Sequence, residues 1–152
     1  MYQKILAPLD GSELAETALR HVRAVATGCR VPKVVLLQVV RPIPQVHGLA
    51  EEFRREEKER AEAEAKDYLA KVADSLKKEG VPAEIVIVCG MPAEQILDYA
   101  KKNEVDLIIM STHGRSGVSR WVFGSVADRV VHHSATPVLI VTPPGFRSGR
   151  VR

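Results

Sequence analysis

Five short apolar runs, separated by stretches with helical periodicity, constrain this chain more than any other feature. The runs fall at residues 2–9 (with Ile5, Leu6 and Ala7 at the centre), 34–40, 83–88, 105–110 and 137–141. Between the first two, Ser12 is a good N-cap and helix formers follow it. That helix is expected to run to about Thr27, with Leu14, Ala18, Val22 and Val25 on one face, and to close at Gly28. A long helix from Glu51 to Lys78 ends at Gly80. A shorter one covers 93–102, with Pro92 at its first position, where the missing N–H costs nothing. The last runs from about Val126 to His133. Strands alternating with helices give a parallel sheet covered on both sides, and right-handed crossovers make it doubly wound. The expectation is an α/β fold: a doubly wound, five-stranded parallel sheet in a single-domain, three-layer sandwich.

At 152 residues, one domain can bury a core without metal or disulfide support. The formal charge of +3 comes from the last ten residues, which hold Arg147, Arg150 and Arg152 and no acid; without them, 19 basic residues face 19 acidic ones. A neutral globular part gives no support for a nucleic-acid surface. The domain is expected over residues 1–142. Residues 143–152 read as a basic, flexible tail, a frayed end before a contact arm. Cys29 and Cys89 show no CxxC or ligand spacing, and read as core or near-core thiols of a reducing compartment. No window reaches the length of a membrane span, and the first residues do not read as a signal peptide, so no membrane role and a cytoplasmic location are expected. The first half of the long helix is nearly all charged, with Glu51–Arg55 and Glu56–Arg60 at i,i+4, and reads as a solvated face in preference to an interaction helix.

The stretch most suggestive of chemistry spans residues 105–131, VDLIIMSTHGRSGVSRWVFGSVADRVV. A buried strand passes into a loop of small residues from Ser111 to Ser119 and reaches Gly124-Ser125, where a helix begins. The N–H groups of such a loop and first turn point outward, and the helix dipole adds partial positive charge. This is a candidate phosphate cradle; the alternative is an ordinary strand-to-helix turn using Gly and Ser as turn and cap residues. In doubly wound sheets, ligands bind beyond the carboxyl ends of the strands, where strand order reverses. Leu9-Asp10, Val39-Val40 and Met110-Ser111 are thereby expected along one crevice with the cradle. Obstructing it with Gly124→Leu is expected to abolish binding and to leave folding largely intact.

Over nearly its whole length the chain resembles the universal stress protein family. The carriers are KILAPLDGSELAETAL, VVLLQVV and STHGRSGVSRWVFGSVADRVVHHSATPVLIV, in the family's order. The nucleotide-binding branch has a signature of Gly, two residues, Gly, nine residues, then Gly and Ser or Thr. Gly114 and Gly124-Ser125 match, and Ser111 stands at the first glycine. If that position needs φ > 0, serine costs roughly 1 kcal/mol; if not, its hydroxyl is available to a ligand. Members that bind no nucleotide tend to have bulky loop residues, whereas Ser111, Gly114, Gly117 and Gly124 are small. The resemblance implies these roles. Pro8, Leu9 and Asp10 would border the adenosine, with Asp10 near the ribose or a divalent ion (Mg or Mn). The Val39 backbone would meet the adenine, and Met110 and Ser111 would line the nucleoside. Gly114, Gly124, Ser125 and Val126 would hold the phosphates of ATP, ADP or AMP. Arg115 would pair with phosphate or be solvated, and Asp10 has the alternative of being a turn residue that caps the first helix.

Without GxxxxGK[ST] the Walker lysine is missing, and neither a nucleophile elbow nor a chelating histidine pair is present. The sequence therefore favours a binding module over an enzyme, with slow metal-dependent ATP hydrolysis or a nucleotide-free dimeric scaffold as alternatives. The resemblance implies a homodimer through the last strand, residues 137–141. The physics agrees, because PVLIV at a sheet edge would leave backbone groups unpaired beside apolar side chains. Such a module would act through a regulatory protein partner.

Overall fold

The computed structural model describes residues 1–48, 50–113 and 124–144. Five strands, β1 (Lys4–Leu9), β2 (Lys33–Val40), β3 (Ala83–Cys89), β4 (Leu107–Ser111) and β5 (Val138–Val141), form one parallel sheet in the order β3-β2-β1-β4-β5. The helices are α1 (Glu13–Glu16), α2 (Leu19–Gly28), α3 (Glu51–Lys78), α4 (Pro92–Lys102) and α5 (Ser125–His133). Alternate strand residues feed two cores. Ile5, Ala7, Val34 and Leu36 pack with Val22, Leu69 and Leu76 of α2 and α3, while Leu6, Val35, Leu37 and Ile108 pack with Ile96 and Val130 of α4 and α5. The sequence expectation of a doubly wound five-stranded parallel sheet with helices on both faces is met. None of the helices among the described residues is long and apolar enough to cross a membrane.

The order reverses between β1 and β4, and the sequence opens a gap there. The β1–β2 ladder continues to Leu9 opposite Gln38, whereas the β1–β4 register ends at Leu6 opposite Ile108. Lys4 faces β4, since its carbonyl accepts from the Asp106 N–H at 3.0 Å. Pro8 lies on the same side of the strand by its two-residue period, and a proline has no N–H to continue that ladder. The crevice thus begins where β1 stops donating to β4.

The first helix differs from its expected form. It breaks at Thr17-Ala18, where i→i+3 bonds of 3.3 Å replace the α pattern and the Thr17 hydroxyl donates to the Leu14 carbonyl at 2.6 Å. This back-bonding competes with the helix ladder and cuts α1 off as a separate turn. Nor does Gly28 supply the left-handed end of α2. It is the last helical residue, and Arg30 adopts φ 52°, with the Val31 N–H bonding the Ala26 carbonyl at 2.9 Å. The same Schellman geometry closes α3 at Gly80 (φ 81°) and α4 at Glu104 (φ 51°). Arg30 pays the Cβ cost that Gly80 avoids. Arg30→Gly is therefore expected to stabilise the fold by about 0.5–1 kcal/mol after glycine's extra unfolded-state entropy is subtracted. Thermal unfolding would read this as a small rise in midpoint, and a fall would contradict it.

Helix α3 has the expected bounds, and no residue from Glu51 to Glu64 is buried; Ala65 is the first that is. Its ion pairs are Lys58–Glu62, Arg60–Glu57 and Arg60–Glu64, not the two that spacing suggested. All are exposed and worth only tenths of a kcal/mol each. Cys89 also departs from expectation: it is exposed, as the last residue of edge strand β3, and Cys29 is half-buried.

Candidate functional site

At the carboxyl ends of β1, β2 and β4, a cavity of about 730 Å³ opens between the helical layers. It gathers Pro8, Leu9 and Asp10 from β1 and its turn, Val39 from β2, Met110 and Ser111 from β4, and Gly124, Ser125 and Val126 from the start of α5. These nine are all of the expected site residues that lie among the described ones. Gly114 and Arg115, like Gly117 and the tail from residue 145, lie outside them.

Asp10 closes an Asx turn. Its Oδ1 accepts from the Ser12 N–H at 2.9 Å and the Ser12 hydroxyl at 2.5 Å, and Ser12 Oγ in turn accepts from the Ala15 N–H at 3.1 Å. Ser12 is thus the N-cap the sequence marks, held by the carboxylate beside the crevice. Glu16, on the same short helix, accepts from the Tyr68 hydroxyl of α3 at 2.9 Å. Burial, and then that bond, push the phenol's pKa upward, so Tyr68 stays protonated and donating.

At the end of β4, Ser111, Thr112 and His113 line the cavity and are all buried. Ser111 does not have positive φ, so serine carries no left-handed strain at the signature's first position. Its hydroxyl accepts from the His113 N–H at 3.3 Å and lies 3.5 Å from Thr17 Oγ1. Thr112 is pinned from both sides. Its N–H donates to the Val141 carbonyl at 2.9 Å, its own carbonyl accepts from Gly124 at 2.8 Å, and its hydroxyl lies 2.8 Å from His113 Nδ1.

Gly124 is the N-cap of α5, with φ −56° and ψ 151°, an extended conformation open to any residue. Its reason for being glycine is proximity: a Cβ there would sit 2.9 Å from the Thr112 carbonyl oxygen. Ser125 is the first helical residue and is exposed at the cavity wall. Its N–H and that of Val126 belong to the first turn, whose donors have no partner inside the helix.

Residues that the sequence reading did not single out also line the cavity: Gln38, Tyr68, Thr112 and, from α4, Ile96. Gln38 left a readable trace, being the one polar side chain in the apolar core of KVVLLQVV. Tyr68 had none, because its helical spacing marks it equally well as core. Among the described residues no group of three or more His, Cys, Asp or Glu is placed to hold a metal ion.

A doubly wound parallel sheet with a roomy crevice at its switch point defines a ligand-binding class of α/β protein. The model of the universal stress protein family matches residues 1–142, and the chain belongs to that family. Universal stress protein MJ0577 of Methanocaldococcus jannaschii is 38% identical over 93% of this chain and 95% of the relative. The MJ0577 structure superposes with a TM-score of 0.83, covering 94% of this chain and 97% of that one. UspA from Lactobacillus plantarum gives the same TM-score, 0.83, at 26% identity over 92% and 97% of the two chains. A universal stress protein crystallised in complex with cAMP shares the fold at 23% identity, with a TM-score of 0.70 and coverage of 93% and 97%.

Proposed function

We propose that this universal stress protein binds an adenine nucleotide, ATP first and ADP or AMP as alternatives, and works in the cytoplasm as a homodimeric regulatory module. One observation carries the reading. Residues dispersed over β1, β2, β4 and α5 converge on a single cavity of nucleotide size, with the α5 N-terminus in its wall. Ser125 and Val126 would hold the phosphates, with Gly124 keeping the turn close. Met110 and Ser111 would line the nucleoside, Asp10 with Pro8 and Leu9 the ribose side, and the Val39 backbone the base. Gly114 and Arg115 are proposed on the phosphates from the signature alone. A magnesium or manganese ion at Asp10 would take its remaining ligands from phosphate and water, as magnesium commonly does. The cAMP complex of a family member supports adenine nucleotides as a ligand class this fold accommodates.

Hydrolysis is the second reading and would be slow, since the sequence offers no Walker lysine. Dimerisation is proposed through β5. Among the described residues it is an edge strand, and Val138, Leu139 and Ile140 are only partly buried; a partner strand there would pair the edge's backbone groups. A dimer is expected in sedimentation at micromolar concentration, and a monomer there would count against it. For the nucleotide, protein is purified without added ligand, denatured and stripped, and the supernatant is analysed by chromatography and mass; stripped, refolded protein is then titrated with ATP and magnesium by calorimetry. Adenine nucleotide near stoichiometry in either arm is the expected result. An empty protein that ignores millimolar ATP would leave the dimeric scaffold.

A further inference from the structure

Among the described residues that line the cavity, Gln38 carries a buried side-chain polar atom that the fold leaves without a partner. Gln38 lines the cavity near the end of β2, and its Oε1 is fully buried with no hydrogen-bond partner. Its cross-strand neighbours are Leu9 on β1 and Ile87 on β3, whose aliphatic side chains have no donor to give. Val34 and Leu36, which precede it on the same face of β2, are fully buried core residues. The hydroxyl of Tyr68, which also lines the cavity, donates to Glu16 instead. Buried acceptors without donors are rare, and each calls for an explanation.

We propose that Gln38 is a specificity-determining residue that reads the base of the bound nucleotide, a proposal that rests on the adenine-nucleotide reading above. The residue is half-buried and lines the cavity, and because no protein donor holds Oε1, turning the side chain to bring both ends of the amide to the cavity breaks no hydrogen bond. A half-turn about the terminal amide torsion, which is soft, exchanges the two ends. An amide therefore offers one donor and one acceptor side by side, the complement of an exocyclic amine next to a ring nitrogen. Adenine presents that pair at its 6-amino group and N7, and glutamine is the side chain that matches it bidentately. The cavity would thus recognise the base through a side chain as well as through the Val39 backbone.

The test compares ATP with purine riboside triphosphate, which is ATP without the 6-amino group, by calorimetry on the parent protein, Gln38→Leu and the nearly isosteric Gln38→Met. The parent is expected to prefer ATP by about tenfold or more, because a site built around a polar partner rejects the analogue that lacks it. In both variants that preference should fall at least about threefold, because ATP loses both amide contacts whereas the analogue, which keeps N7 but not the amine, loses only one. Their thermal midpoints in the absence of nucleotide should hold or rise, since an unpaired buried acceptor has been removed. An unchanged preference, or equal loss for both nucleotides, would make Gln38 structural and overturn the proposal. A parent that binds both nucleotides alike overturns the role of Gln38 and leaves the nucleotide reading standing. A parent that binds neither overturns both.

Discussion

Ser125→Pro is expected to lower affinity for ATP by about tenfold to a hundredfold, with the thermal midpoint changed by no more than about 2 °C. The reasoning combines helix geometry with charge. Ser125 is the first residue of α5, a position whose N–H has no intrahelical partner and where proline's fixed φ is already helical. The preceding Gly124, at φ −56° and ψ 151°, has the extended conformation that a following proline requires. The fold thus loses nothing it uses. A phosphate at the helix N-terminus would lose one charge-assisted hydrogen bond and meet a methylene group instead, and such bonds are about twice as strong as neutral ones. Ser125→Ala, which keeps the N–H and removes the hydroxyl, should retain most of the affinity. Calorimetry and thermal unfolding on the two variants separate the roles. Equal affinity in Ser125→Pro would remove the start of α5 from the site.

Gly124→Leu should fail in two ways at once, unlike the clean loss of binding that the sequence suggests. The glycine is not there for backbone freedom. Its added Cβ would lie 2.9 Å from the Thr112 carbonyl oxygen, which is itself bonded to the Gly124 N–H. Real Cβ atoms do not approach backbone that closely, so α5 must move away from β4. Displacing a packed element in this way typically costs about 1–3 kcal/mol, or several degrees of midpoint for a chain of this size. The same movement would separate the α5 N-terminus from Ser111 and the β1 turn, so nucleotide binding should vanish together with stability. A variant as stable as the parent would mean that the close contact is relieved cheaply.

These two neighbouring positions show how far the sequence could be read. The strands and long helices were legible because their signals are local. Glu51–Lys78 has helix formers throughout with Gly80 after it, and Pro92 marks the start of α4. The crevice followed from topology, since parallel strand order places the ends of β1, β2 and β4 together. What local pattern does not encode is contact between distant segments. The reason for Gly124 lies in the Thr112 carbonyl, and Ser111 avoids positive φ because β4 runs through it. The break at Thr17 comes from a hydroxyl choosing a backbone carbonyl, and Arg30 holds the left-handed end that Gly28 was expected to provide. In each case a residue's type was readable but its partner was not. Gln38 is the converse, an amide among aliphatic residues whose buried oxygen has no hydrogen-bond partner among the described residues.

The central claim is that phosphate sits on the first turn of α5 with the nucleoside reaching β2. It is tested most directly by following backbone amide resonances of the isotope-labelled protein while ATP and magnesium are added. The account predicts saturable shifts at Ser125 and Val126, with further shifts at Ser111 and Val39, and little change along the exposed first half of α3. Resonances that stay in place at millimolar ATP, or shifts confined to residues away from the crevice, would contradict it.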